Sequence, residues 1–98
     1  MKLVALYKQP ADIDAFNEAY FNTHIPLVEN VPGIVNTEFT YIRATLQGEQ
    51  YFLMTVLTFA DKDSFKAGLN SPEMAAAGEN LDSFAKGQYT LFFGSDSP

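Results

Sequence analysis

The stretch Tyr20-Phe21-Asn22-Thr23-His24-Ile25-Pro26 decides the fold prediction, because it holds the only histidine and closes the first helix. Ile13, Phe16, Tyr20 and His24 follow one another at intervals of three or four residues, the spacing of one helix face. Tyr20 and His24 therefore lie one above the other. A phenol and an imidazole stacked in this way are typical either of a small-molecule site or of ordinary core packing.

The ends of this helix follow from the residues on either side. Asp12 is an N-cap, and Pro26 kinks or ends a helix because it lacks an N–H group. We therefore predict a helix from residue 12 to residue 23 or 25, with Leu27-Val28 as a short further turn. The dipeptide Pro32-Gly33 then forces a turn of the chain.

Four further segments have the alternation and composition of β-strands. They are residues 2–8, 34–43, 51–59 and 88–93. A second helical region lies between the third and fourth strands. It begins at an Asp61 N-cap, breaks at Asn70-Ser71, restarts with Pro72 at the first helical position, and ends at Lys86-Gly87.

The predicted order is β-α-β-β-α-β, which indicates an α+β fold of the ferredoxin-like type in a single domain, residues 1–98. This fold has a four-stranded antiparallel sheet with helices on one face. Three of the strands are nevertheless apolar on both faces, and a large bare apolar surface is rare on a monomer. We therefore predict a homodimer whose two sheets face each other as a dimeric α/β barrel.

Charge and cysteine content exclude several classes of function. The net charge of -6 and the pI of about 4.4 argue against nucleic acid and anionic membranes as partners. The absence of cysteine excludes disulfides, thiolate catalysis and cysteine-based metal sites. The opening apolar run is too short for a signal peptide, and no window reaches the length of a membrane span. We expect a soluble cytoplasmic protein.

Four segments together form a more specific pattern. They are residues 2–10, Tyr20-Phe21-Asn22-Thr23-His24-Ile25-Pro26-Leu27, Val31-Pro32-Gly33-Ile34, and Ser71-Pro72-Glu73-Met74 with its flanking Phe65, Leu81 and Phe84. The combination resembles the EthD family, named for ethyl tert-butyl ether degradation. The run from Tyr20 to Leu27 is its most specific part.

The resemblance implies a dimeric α/β barrel and a bacterial catabolic protein associated with oxidoreductases. Relatives with this barrel include isomerases, cyclases and cofactor-free monooxygenases, so the fold constrains the chemistry little. The family pattern singles out Tyr20, His24 and Pro26. As candidate catalytic residues, His24 would be a general base and Tyr20 would orient a substrate oxygen. The alternative is that His24 only caps the helix, where it is favoured by the helix dipole when protonated.

Strand tyrosines are the candidate ligand-binding residues, because a tyrosine ring is apolar and its hydroxyl polar. We select Tyr7, which ends the first strand just before the histidine helix, and Tyr51, which begins the third strand. Arg43 falls near a hairpin end and is expected on the surface. One histidine without cysteine gives no metal site, and no cofactor is predicted, although haem ligation through His24 alone stays open.

Three functional hypotheses follow. The first is an EthD-like enzyme that performs cofactor-free proton transfer, such as isomerisation or cyclisation, on a small apolar or aromatic substrate bearing an oxygen. The second is a non-catalytic binding or sensor dimer of the same fold. The third is a purely structural dimer without a sizeable pocket beside His24.

Overall fold

A computed structural model describes all 98 residues and contains one sheet with helices on one side. The strands are β1 (Lys2–Tyr7), β2 (Ile34–Tyr41), β3 (Leu53–Phe59) and β4 (Tyr89–Gly94). The helices are α1 (Ile13–Ala19), α2 (Ile25–Glu29), α3 (Lys62–Leu69) and α4 (Pro72–Ala85), with a π-helical turn (Tyr20–His24) between α1 and α2. None of the helices combines the length and hydrophobicity needed to cross a membrane.

The sheet order is β2-β3-β1-β4, and every neighbouring pair is antiparallel. The predicted ferredoxin-like βαββαβ arrangement is therefore confirmed. Both helical connections cross the same face of the sheet, which places α1, the π-helical turn and α4 over the central strands. Three predicted helix starts are also confirmed, with Asp12, Asp61 and Ser71 accepting hydrogen bonds from backbone N–H groups three residues later.

The first helical segment differs from its prediction. Helical backbone continues past Pro26 to Glu29, and only its hydrogen-bonding pattern changes. The N–H of Ile25 donates to the carbonyl of Tyr20, five residues back. A proline cannot donate a hydrogen bond, and its ring clashes with the carbonyl four residues earlier in an α-helix. The wider π-helical turn accommodates Pro26 without ending the helix. The predicted end near residue 23 or 25 is wrong for this reason, whereas the further turn predicted at Leu27-Val28 is present within α2.

Strand ends differ by one or two residues. The second strand stops at Tyr41 rather than Arg43, and the third begins at Leu53 rather than Tyr51. Leu53 is the terminal residue of the ladder because its partners, Tyr7 and Tyr41, are themselves the last residues of their strands. Tyr51 consequently lies outside the sheet.

The two faces of the sheet have different surroundings. One packs beneath the helices and forms the hydrophobic core, with β3 contributing Leu53, Leu57 and Phe59. The other has no element over it. The pairing of β1 with β3 and β4 places five apolar residues side by side at the centre of this open face. They are Val4, Leu6, Met54, Val56 and Phe92. The apolar character predicted for both faces of the sheet is thus present.

Candidate functional site

Three aromatic rings meet where the first helical segment crosses the sheet. Phe16 of α1 stacks on Tyr20, with ring centroids 5.4 Å apart and planes at 11°. Tyr7 of β1 meets Tyr20 edge-on, at 5.0 Å and 71°. Only 1% of the Tyr20 surface and 2% of the Tyr7 surface are exposed. The rings hold the Tyr20 side chain in one place, against the centre of the sheet.

The hydroxyl of Tyr20 has a polar partner on the sheet. Its oxygen lies 2.6 Å from the hydroxyl oxygen of Thr55, and either group can donate. Thr55 is buried in β3, between Leu53 and Leu57 on the helix-facing side. A buried hydroxyl without a partner is costly, so this pair fixes the position of both groups.

His24 ends the π-helical turn, and only 4% of its surface is exposed. Its ring lies 5.3 Å from the Tyr20 ring, centroid to centroid. Its Nδ1 atom lies 3.2 Å from Oδ1 of Asn80, on the facing helix α4. The Phe84 ring of the same helix approaches it edge-on, at 6.1 Å. His24 therefore has one nitrogen engaged by an amide and the rest of its ring among aromatic groups.

Burial sets the protonation states of these groups. It lowers the pKa of His24 from the ordinary value of 6.5, although hydrogen bonding to Asn80 and to the Ala77 backbone opposes part of that shift. It raises the pKa of both Tyr7 and Tyr20 above the ordinary value of 10.0. Near neutral pH, the cluster thus presents a neutral imidazole and two protonated phenols.

A cavity of about 70 Å³ lies beside these side chains, between the sheet and the helices. Four of its lining residues have polar side chains: Tyr7, Tyr20, His24 and Thr55. The remaining lining is apolar or glycine: Leu3, Ala5, Ile25, Val28, Leu57, Met74, Ala77, Gly78, Leu81 and Leu91. No aspartate, glutamate, lysine or arginine lines it.

The chain matches the EthD domain over residues 8–88. This protein belongs to the EthD family. The matched region includes Tyr20, His24, Thr55 and Asn80, whereas Tyr7 lies one residue before it. The resemblance inferred from the run around His24 is therefore confirmed.

Three similar proteins match nearly the whole chain, and one of them is an EthD family protein. A crystal structure of an EthD family protein from Bacillus halodurans is 37% identical, with a TM-score of 0.89, and the match covers 98% of this chain and 97% of that one. An uncharacterised 11.0 kDa protein of Rhodococcus erythropolis, from the thcB-thcC intergenic region, is 30% identical over 95 aligned residues, and the match covers 94% of this chain and 90% of that protein. A dimeric ferredoxin-like protein of unknown function from Thermobifida fusca shares the fold, at 18% identity and a TM-score of 0.67 over 96% of this chain and 89% of that one.

The EthD fold brings together three of the four site residues predicted from the sequence. Tyr7, Tyr20 and His24 all line the cavity. The fourth, Tyr51, lies outside it, and its hydroxyl donates to a carboxylate oxygen of Glu49 at 3.1 Å. Arg43 is also absent from the lining.

Two polar residues of the site were missed by the sequence analysis. Thr55 interrupts an apolar strand face, and Asn80 lies within the α4 stripe, three residues after Ala77 and four before Phe84. A polar residue at an inward-facing position was the available signal in both cases.

The site of this EthD protein offers little to a metal or to haem. His, Asp and Glu do not gather anywhere into a group of three that could hold a metal ion. The cavity of about 70 Å³ is also far below the ~300–1,000 Å³ of ordinary ligand pockets, so a haem macrocycle does not fit beside His24.

Proposed function

We propose that this EthD protein binds a small neutral molecule bearing an oxygen beside His24 and performs cofactor-free proton transfer on it. The observation that carries the proposal is the burial of the only histidine against an otherwise apolar cavity, one turn from a buried phenol. A neutral imidazole next to a hydroxyl is the pair needed to remove a proton from carbon while the neighbouring oxygen is held.

The lining favours a neutral ligand. Moving an ion into an apolar cavity without a partner of opposite charge is very costly, and no charged side chain is available there. A volume of about 70 Å³ is more than the ~10–15 Å³ that one water-sized group needs, and far less than the ~300–1,000 Å³ of an ordinary ligand pocket. The cavity as it stands therefore suits a small carbonyl or alcohol end better than a complete aromatic ring.

The two candidate catalytic residues have distinct roles in this proposal. We assign His24 the tautomer in which Nδ1 donates to Oδ1 of Asn80, 3.2 Å away, and Nε2 is the unprotonated nitrogen. Nε2 takes a proton from the carbon adjacent to the ligand's carbonyl group. The Tyr20 hydroxyl donates a hydrogen bond to that carbonyl oxygen as negative charge develops on it. Return of the proton from Nε2 to another carbon of a conjugated enolate completes an isomerisation. Attack by the enolate carbon on a second carbonyl carbon of the same molecule, whose C=O π bond opens and whose oxygen takes the proton from Nε2, would give cyclisation.

The active form in this proposal is a homodimer. Val4, Leu6, Met54, Val56 and Phe92 lie on the open sheet face, and the same face of a second copy is a self-complementary cover for them. The dimeric ferredoxin-like protein of Thermobifida fusca offers a precedent for association within this fold. Because the cavity lies on the opposite side of the sheet, each protomer would hold its own site.

Hydrogen–deuterium exchange of simple ketones tests the proton transfer directly. Propanone and butanone in D₂O, followed by proton NMR, should lose their α-proton signals faster with the protein than with buffer. His24→Gln should remove the acceleration while the melting temperature and dimer mass stay near those of the native protein. Equal exchange with the native protein and with His24→Gln would contradict the assignment of His24 as the base.

A non-catalytic binding or sensor role is the second candidate. The Tyr20 hydroxyl already has a partner in Thr55, so a ligand has to compete for it. In this role the ketones would shift the NMR signals of the His24 ring without any accelerated exchange, and His24→Gln would change affinity alone. A purely structural cluster would give neither the shift nor the exchange.

A further inference from the structure

Helix α4 presents two different flanks to its surroundings. Gly78 and Asn80 are two residues apart, and at about 100° per residue their side positions are ~200° apart around the helix. Asn80 faces the first helical segment, where it contacts His24. Gly78 therefore lies on the flank turned away from that segment, yet it still lines the cavity and is exposed to solvent.

Leu91 lies on the cavity wall contributed by the edge strand. It pairs with Ala5 in the register of β1 and β4, which places it on the helix-covered side of the sheet. Half of its surface, 50%, is nevertheless exposed, although it also lines the cavity. Gly78 and Leu91 thus share both properties expected of an opening, contact with the cavity and contact with solvent.

Gly78 has no local structural reason to be glycine. It sits inside a helix, without a positive φ angle, and a Cβ atom built there would meet nothing within 4 Å. A glycine inside a helix is less stable than an alanine at the same position. Because glycine has no side chain, the space beside this position of α4 stays open.

We propose that Gly78 and Leu91 form the entrance to the His24 cavity and that Gly78 determines which ligands enter. This inference rests on the proposed ligand site. The cavity holds only the reactive end of a ligand, and the remaining apolar chain extends past Gly78 toward solvent. The substrate class is therefore a neutral carbonyl or alcohol compound with an unbranched apolar tail, longer than the cavity itself.

Diethyl pyrocarbonate tests the entrance without knowledge of the natural ligand. It is a small neutral ester that acylates a neutral imidazole nitrogen and releases ethyl carbonate, and His24 is the only histidine in the chain. The variants are Gly78→Leu, which fills the opening, and Ala76→Leu, which adds similar bulk at an exposed α4 position outside the cavity. Gly78→Ala strengthens the helix and adds only one methyl group.

Gly78→Leu should slow the acylation of His24 by about tenfold or more, because only rare local opening then admits the reagent. Ala76→Leu should react like the native protein, and Gly78→Ala should slow the reaction far less than Gly78→Leu. An unchanged rate in Gly78→Leu would overturn the entrance. So would equal slowing by Gly78→Ala, because helix stability rather than blockage would then explain the effect.

Straight-chain 2-alkanones from propanone to 2-octanone test the tail. In the native protein, each ketone should shift the NMR signals of the His24 ring. In Gly78→Leu, the affinity for the long-chain ketones should fall by about tenfold, while the affinity for propanone should stay the same. If Gly78→Leu weakens the binding of every ketone to the same extent, Gly78 does not select ligands by the length of their chain. If no alkanone shifts the native His24 signals while Gly78→Leu still blocks acylation, the entrance stands and the proposed ligand class fails.

Discussion

The hydroxyl oxygens of Tyr20 and Thr55 lie 2.6 Å apart and join the π-helical turn to the centre of the sheet. Both side chains are almost fully buried, and both line the cavity beside His24. The pair is separated by 35 positions in sequence. It therefore ties the helical segment that carries His24 to β3, one of the strands that line the cavity.

Tyr20→Phe should lower the free energy of unfolding by about 1–3 kcal/mol, because it leaves the Thr55 hydroxyl buried without its partner. The phenyl ring keeps its stacking on Phe16, so the core volume is nearly unchanged. Urea unfolding followed by circular dichroism, at one fixed protein concentration, measures the change.

Thr55→Val provides the matched control for this pair. It should also destabilise the protein, whereas the double variant should cost clearly less than the sum of the two single changes. Simple additivity would show that the two hydroxyls do not interact, and would contradict the geometry.

The general architecture could be predicted because it depends on local patterns. Alternation of apolar residues identified the four strands, and Asp12, Asp61 and Ser71-Pro72 marked the helix starts. Hydrophobic periodicity indicates which faces of the helices and strands are buried. For a chain of this length, few arrangements of the strands and helices bury all of those faces together.

The details of the site depend on contacts between distant segments, which no local pattern encodes. Asn80 reaches His24 across 56 positions of sequence, so its role was missed. Tyr51 lies outside the cavity lining, because its strand begins at Leu53, two residues later than predicted. Pro26 was treated as a helix terminator, although a π-helical turn accommodates it and keeps the backbone helical to Glu29.

Acid should destabilise the protein through His24. Burial lowers the pKa of His24 in the folded state below 6.5, so between these two values the unfolded chain binds more protons than the folded one. The contribution of neutral His24 to the free energy of unfolding is therefore fully present above about pH 6.5. It is lost as the pH decreases toward the pKa of His24 in the folded state. Urea unfolding at a series of pH values from neutral to acidic measures this loss.

His24→Gln isolates the contribution of the histidine, since carboxylates also respond to acid. The variant should lose less stability than the native protein over the same acidic range. NMR titration of the single histidine ring gives the folded pKa independently, and a value at or above 6.5 would refute the predicted direction.

Val56→Asp should convert the proposed dimer into a monomer. Val56 lies on the open sheet face between Val4 and Glu38 of the neighbouring strands, and a carboxylate there would be buried without a partner when two sheets meet. Light scattering should report twice the chain mass for the native protein and for Ala76→Asp, an exposed change on α4. A native protein that is monomeric at micromolar concentration would refute the sheet-to-sheet dimer.

Two helical glycines should respond in opposite directions to the same substitution. At Gly68, a Cβ atom would lie 2.6 Å from Cε2 of Phe59 and 2.8 Å from the Pro32 carbonyl oxygen, so Gly68→Ala should lose about 1–3 kcal/mol through overpacking. At Gly78 a Cβ meets nothing within 4 Å, so Gly78→Ala should gain up to ~1 kcal/mol from helix propensity. Urea unfolding of both variants at one protein concentration compares them directly. A gain at Gly68, or a loss at Gly78, would mean that the packing of α3 against Phe59 or the open space beside α4 differs from this structure.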